Sequence, residues 1–304
     1  MTSISGRNTV ERLKAELALD ARATLGECVR WDEREGLIYW VDIPGQRLHR
    51  YNPSTGHNDT MEIGQEIGCF ALAETGGFIT GLRSGYARID TFGGTVQRLT
   101  SPDYDPAFVR FNDGRCDGAG RFWAGTMWEP RDRPAAHVYC LEADGRFSTK
   151  ANPITLANGI TFSPDNKTFT LADTPNHVLW TFDYDLDTAT PSNRRVLRTF
   201  DPPQGRPDGA CVDAEGNIYL AIFAGARVEK ISPKGELLAV IDLPIPNITC
   251  CSFAGDDLQT LYITTARVRM SDEQLAQHPY AGGLFAIRLP SHHAPGVIEA
   301  RYAG

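Results

Sequence analysis

The stretch Pro207-Asp208-Gly209-Ala210-Cys211-Val212-Asp213-Ala214-Glu215-Gly216-Asn217-Ile218-Tyr219-Leu220-Ala221 governs the reading of the fold, because the rest of the chain repeats its pattern. Residues 210–212 are small and apolar, 213–216 carry turn chemistry ending in a glycine free to take a positive φ, and 218–221 are β-rich. They predict two short strands joined by a tight turn. With Val212 as the zero position, the same apolar-turn-apolar pattern recurs at Trp31, Leu72, Cys116, Phe162 and Phe253. The six copies lie 41, 44, 46, 50 and 41 residues apart, a period that marks strand-rich repeats rather than two ordinary domains.

Each turn leads into a second strand, at 37–41, 78–81, 122–125, 168–171, 218–221 and 261–264, and a third follows at 47–51, 86–89, 137–141, 178–182, 227–231 and 284–287. Several of these end in a hairpin turn, as at Ser232-Pro233-Lys234-Gly235. Six units of three to four antiparallel strands describe an all-β, six-bladed β-propeller. A closed propeller must join its ends, so 16–23 is expected to pair with a strand near the C-terminus and remove an exposed edge. Residues 1–15 read as a polar lead-in with a short helical turn at 10–17, and 16–304 as one propeller domain. The one well-signalled helix is Ser271-Asp272-Glu273-Gln274-Leu275-Ala276-Gln277, whose Ser271 and Gln274 have capping-box spacing and which Pro279 stops. It reads as an insertion over one face.

With 304 residues, a chain of this length buries roughly three quarters of its unfolded surface. A net charge of −8 and the lack of any Lys/Arg run argue against nucleic acid or an anionic membrane as partner. Seven cysteines without CxxC spacing, and no apolar leader at the start of the sequence, suggest free thiols and a cytoplasmic location.

Four residues before each zero position stand Glu27, Gly68, Asn112, Asn158, Asp208 and Thr249. Equivalent positions in successive blades ring one mouth of the central tunnel, so these side chains should converge there. Carboxylates and carboxamides without His or Cys are ligand chemistry for a hard divalent cation, Ca²⁺, Mg²⁺ or Mn²⁺. Asp and Asn before a strand also serve simply as turn formers, but Glu27 is a poor turn residue and shares the register. Arg110, two before Asn112 on an extended segment, points to the same side; it could bind an oxygen-rich ligand, or be a solvated residue paired with an acid. Asp173 and His177 could put an acid or imidazole near the axis, although turn structure explains them as well. The segment 183–187 resembles an EF-hand start but has Thr188 where glycine is needed and Arg194 where the bidentate Glu belongs. The remaining histidines lack metal spacing, and GxSxG, HExxH, P-loop and GxGxxG patterns are absent.

Leu25-Gly26-Glu27, 39–44 (Tyr-Trp-Val-Asp-Ile-Pro), Arg110-Phe111-Asn112-Asp113-Gly114, Ala124-Gly125-Thr126-Met127, Asn158-Gly159, Pro207-Asp208-Gly209 and Ala281-Gly282-Gly283, in this order, resemble the regucalcin (senescence marker protein) and gluconolactonase family. The resemblance implies a six-bladed propeller with one divalent metal at the tunnel mouth, held at the positions of Glu27, Asn158 and Asp208. It also implies substrate-binding roles for Arg110 and Asn112, and for Glu129 if its register survives the following Pro130. The activity implied is metal-dependent opening of a sugar-acid lactone, with Ca²⁺, or alternatively Mg²⁺, Mn²⁺, Zn²⁺ or Fe²⁺, as cofactor; because a hard oxygen-ligated cation acidifies water less than zinc does, an added base is expected, and Asp208 is the candidate. A phosphotriester or aryl-ester hydrolase, or a non-catalytic calcium-binding propeller, would use the same frame.

Overall fold

The structure is a computed structural model and describes residues 10–304. Six antiparallel sheets succeed one another along the chain, each beginning with its innermost strand: Gly26–Asp32, Ile67–Leu72, Val109–Cys116, Ala157–Phe162, Arg206–Val212 and Ile248–Ala254. Successive innermost strands touch, and the last returns to the first, so the ring is closed. The expected second and third strands are present in every blade. This is the six-bladed propeller that the repeat predicts.

The turn of the opening stretch is held by its own side chain. Asp213 Oδ1 accepts the backbone N–H groups of Glu215 at 3.0 Å and Asn217 at 2.9 Å. Asp117 does the same for Ala119 and Arg121 in the third blade, and its other oxygen accepts Trp123 Nε1–H at 3.0 Å. Such Asp-anchored turns fix the hairpin register. The apolar residues that follow then fill the spaces between blades, with Trp40, Trp123, Tyr86 and Tyr219 fully buried. Each such side chain contributes on the order of 1.5–3 kcal/mol.

The N-terminal segment differs from the helical turn expected at 10–17. Glu11–Lys14 is a strand lying parallel to Leu237–Asp242 as the fifth strand of the fifth blade, and Glu16–Leu19 pairs antiparallel with Leu284–Arg288. The second pairing is the expected ring closure; the first shortens the lead-in, of which residues 1–9 lie outside the described residues. Alternation explains the change: Leu13 and Ala15, two residues apart, join one apolar cluster and Leu19 joins another. Glu11 Oε2 also reaches His292 Nε2 at 3.2 Å and His293 Nε2 at 3.0 Å, a cluster that spacing along the chain could not reveal. Lys230 Nζ faces His293 Nδ1 at 3.3 Å and can only donate, so Nε2 carries the ring proton and gives it to Glu11. That arrangement anchors the added strand.

The helix Asp272–Gln277 has its capping box, with Ser271 N–H donating to Gln274 Oε1 at 2.9 Å. It lies between the second and third strands of the sixth blade. Residues 183–187 end a hairpin, as expected. All seven cysteines are buried and free. No helix among the described residues is long and apolar enough to cross a membrane.

The C-terminal tail runs across the opposite face. Its backbone bonds to Ala214, Glu74, Leu72 and Gly120, and its Glu299 enters the far end of the tunnel. There Glu299 lies 3.0 Å from Arg30 Nε and also pairs with Arg115. Burial works against its charge, yet Arg115 and Arg30 hold the carboxyl below the usual carboxylate range. Arg30 also donates to Gly114 O at 2.6 Å and Arg115 to Ile160 O at 3.0 Å, tying the first, third and fourth blades to this plug. Removing one partner of a buried ion group leaves the others uncompensated, which costs about 3–5 kcal/mol. Glu299→Ala should lower stability by that order, read as an earlier midpoint in chemical denaturation. An unchanged midpoint would show that the plug contributes nothing.

Candidate active site

Each innermost strand breaks its pairing with the second strand at the same place. The breaks fall at Glu27/Arg30, Ile67/Cys69, Phe111/Gly114, Asn158/Thr161, Pro207/Ala210 and Ile248/Cys250. An irregularity of this kind bends a strand and re-aims the side chains within it. Here it coincides in all six blades with the register four before the zero position. Cys28 and Gly159, with φ of 51° and 57°, carry the distortion in the first and fourth blades.

Glu27, Asn112, Asn158 and Asp208 consequently line one cavity of about 300 Å³ at the axial mouth. Arg110 and Glu129 line it as well. Gly68 leaves room for the neighbouring strand, since a Cβ there would stand 2.0 Å from Phe111 O. Thr249 faces away from the cation-type donors and gives its hydroxyl proton to Gly26 O at 2.5 Å. A larger groove of about 560 Å³ opens between the fourth and fifth blades, but it is lined by strand and turn residues without a converging set of buried acids.

The groups at the mouth are nearly shut off from water: Glu27, Asn158 and Asp208 are 7, 3 and 5 % exposed. Their mutual orientation is fixed by a chain of hydrogen bonds. Arg110 donates to Asn112 Oδ1 at 2.9 Å, Asn112 Nδ2 to Asn158 Oδ1 at 2.7 Å, Asn158 Nδ2 to Thr174 Oγ1 at 2.9 Å, and Thr174 to Pro207 O at 2.8 Å. Glu27 Oε2 accepts Cys28 N–H at 3.2 Å. Asp208 Oδ1 is buried with no hydrogen-bond partner.

Burial, and then the charge of Asp113, push the Glu27 carboxyl up to about 8. Burial and the charges of Glu27 and Asp113 push Asp208 well above its ordinary range. Asp113 itself is held by Gly114 N–H at 2.8 Å and Ile160 N–H at 3.0 Å. Two buried acids at the mouth with Asp113 behind them, an unpartnered oxygen on Asp208, and an amide oxygen with a spare lone pair are donor chemistry that fits a hard cation.

Two residues further out on each innermost strand lies a second ring. It contributes Glu66, Arg110 and Arg206 to the cavity wall, and the loops add Glu129, Arg131 and Arg269. Glu129 is paired with Arg83 at 2.8 Å and lies 3.8 Å from Arg110. Arg83 holds Glu66 too, at 2.6 Å. Thr174, Asp113, Arg131, Arg206 and Arg269 were not among the residues the sequence singles out. Arg206 could have been found there, because it holds the register of Arg110. Asp173 and His177 are not catalytic in placement: Asp173 accepts the N–H groups of Thr155 and Leu156 and the amide of Asn176, which is a turn-holding role. Asp42 does the same for Thr24 and Leu25, each at 3.0 Å, and so aims the strand that carries Glu27.

The family model described as SMP-30/gluconolactonase/LRE-like region matches residues 25–267. The chain belongs to this family. A 6-deoxy-6-sulfogluconolactonase of Pseudomonas putida is 44% identical over 93% of this chain and 96% of its own. Regucalcin of Oryctolagus cuniculus is 33% identical, covering 96% of this chain and 99% of that protein. Among solved structures, the calcium-binding protein regucalcin from Agrobacterium tumefaciens superposes with a TM-score of 0.91 at 25% identity, covering 97% of this chain and 99% of the other. As a member of the SMP-30/gluconolactonase/LRE-like family, the chain shares its propeller with these relatives over nearly its full length.

Crowded buried acids oppose folding while no cation is present. Asp208→Asn keeps the shape and removes one charge, so the cation-free protein should gain about 0.5–2 kcal/mol in stability. Thermal unfolding in the presence of a chelator reads this out. A lower melting temperature for the variant would mean that the acids are not in conflict.

Proposed function

We propose that this protein is a cation-dependent lactonase that opens the ring of a sugar-acid lactone. The observation that carries this reading is the unpartnered, buried Asp208 Oδ1 set against Glu27 and Asn158 beneath a wall of hydrogen-bond donors. Glu27, Asn158 and Asp208 would hold one divalent cation, with Ca²⁺ the best match to an all-oxygen donor set and Mg²⁺, Mn²⁺, Zn²⁺ or Fe²⁺ as alternatives. When bound, the cation supplies Lewis acidity that polarises the lactone carbonyl and steadies charge developing on its oxygen.

The chain's own residues do the rest. Arg110 spends one nitrogen on Phe111 O and Asn112, and presents its remaining donors to the cavity, where a sugar hydroxyl or ring oxygen can accept. Asn112 fixes Asn158 through its amide and keeps a lone pair on Oδ1 for substrate. Asp208 accepts the proton of the water that attacks the carbonyl carbon. The acyl C–O bond to the ring oxygen then breaks, that oxygen takes up a proton, and the open sugar acid leaves. Glu129, locked to Arg83 and facing Arg110, orients that arginine and borders the substrate. The similarity to proteins named for gluconolactone hydrolysis supports the reaction class, and the calcium-binding neighbour supports the cation.

The test is acid release from pentono- and hexonolactones by metal-stripped protein, with and without added Ca²⁺, Mg²⁺, Mn²⁺, Zn²⁺ or Fe²⁺, after subtraction of spontaneous opening. Cation-restored turnover is expected. Folded protein that binds cation and opens no lactone would contradict the proposal and favour a binding role.

Asp208→Ala should cost about 10²–10⁴ in kcat and weaken cation binding in the same preparation; retention of both would remove Asp208 from the site. Thr174→Val breaks the bridge between Asn158 and Pro207 without touching the donor oxygens. A loss of about 10- to 100-fold in cation affinity is expected, measured by calorimetric titration. Unaltered affinity would show that Thr174 does not position Asn158.

A further inference from the structure

The charges that line the mouth fall into separate groups. Glu66 and Glu129 are paired with Arg83, which itself stands behind the wall, and Glu129 also faces Arg110. Glu27 and Asp208 crowd the axis. Arg131, Arg206 and Arg269 remain, and none of their side chains makes an ion pair or donates a hydrogen bond among the described residues. They line the same cavity.

Three unpaired guanidiniums on one lip are out of keeping with a chain of net charge −8. Most of this protein's other cavity-wall or buried arginines, such as Arg30, Arg115 and Arg301, have an acid within reach. The three are also mutually close: burial first, then the neighbouring charges of Arg269, Arg206 and Arg110, push Arg131 down to about 10. Arg131 Nε is shut off from solvent and donates to nothing. Both Arg131 and Arg269 sit on backbone with positive φ, 58° and 64°, in loops of the third and sixth blades. Arg206 is held from the fifth blade by the ring of Phe223, 5.3 Å away. Three separate blades therefore deliver like charges to one place, and although the Asp208 carboxylate offsets part of the charge of Arg131 and Arg206, none of the three has an acid in ion-pair contact, so a ligand anion can complete the arrangement.

We propose that Arg131, Arg206 and Arg269 form an anion subsite, and that the lactone this enzyme opens carries a three-oxygen oxyanion, a sulfonate or a phosphate, at the end remote from its carbonyl. The proposal rests on the lactonase reading for where the carbonyl lies. Arg206 stands two residues before Asp208 on the same strand, so it meets a ligand about 7 Å further out than the axial acids do. That separation places the subsite at the far end of a sugar whose carbonyl is at the axis. Planar forks from three sides suit a pyramidal group with three acceptor oxygens better than a carboxylate with two. Glu66 and Glu129 would repel it if they were free, and their pairing with Arg83 removes that obstacle.

The experiment has two arms on the cation-loaded, full-length protein. The first compares kcat/KM for D-glucono-1,5-lactone with its 6-phosphate and with its 6-deoxy-6-sulfonate. The second measures, by calorimetry, binding of the three corresponding open-chain acids, which does not depend on turnover. Binding of at least one 6-substituted acid should exceed that of gluconate by at least 10-fold, and the preferred substituent identifies the anion. Arg269→Gln, at an exposed position that folding does not rely on, and Arg131→Gln should each reduce that preference by about 10- to 100-fold. Added salt should weaken it as well. Equal binding of all three acids by the wild type, or a preference untouched in both variants, overturns the proposal. If the anionic acids bind with the expected preference and no lactone is opened, the subsite stands and the lactonase reading falls.

Discussion

The break in pairing shared by the six innermost strands is the constraint on which the rest of the molecule depends. A regular ladder at this register would direct Glu27, Asn158 and Asp208 each at a face of its own blade rather than at the axis. The break turns them onto the axis together, from the first, fourth and fifth blades. A closed ring is what allows this, because it converts one register in a repeat into a circle of side chains. Closure in turn depends on Glu16–Leu19, the strand that joins the start of the chain to the sixth blade. Loosening of that strand therefore acts on the distances between mouth side chains that are far from it.

Charge is sorted along the same axis. Acids crowd the near mouth, where burial and their mutual charge work against ionisation. At the far end the polarity reverses: Arg30 and Arg115 face inward, and the C-terminal tail brings Glu299 to neutralise them. The tail thus narrows one end of the tunnel, and a small molecule meets the acids from the other. Between the acids and solvent stands a collar in which Arg83 binds Glu66 and Glu129, leaving the arginines of the lip as the outermost charge. Stability and chemistry draw on the same groups in opposite senses. The axial acids weaken the empty fold, while the plug strengthens it.

Much of this was legible in the sequence because a repeat is a strong signal. The turn chemistry at Asp213 to Gly216 and its five copies gave blade number, strand order and the converging register. Glu27, Asn112, Asn158 and Asp208 follow from counting four back from each zero position, and counting six back would have added Arg206 beside Arg110. Arg131 and Arg269 could not be found this way, since they lie in loops whose lengths differ from blade to blade. Thr174 acts through a bond to the next blade's Pro207 carbonyl, a contact that no spacing encodes. The segment 10–17 misled because its leucines fit a helical turn as well as a strand, and a partner more than 200 residues away decided the matter. Glu299 was invisible for the same reason: its two arginines come from distant blades.

The most direct measurement of the central claim is anomalous X-ray scattering from crystals of the metal-stripped protein soaked in Mn²⁺. The account predicts one strong anomalous peak at the axial mouth, within bonding distance of Glu27, Asn158 and Asp208 oxygens, and its disappearance in Asp208→Ala. No peak at the mouth, or a peak only at Glu11, His292 and His293, would contradict it.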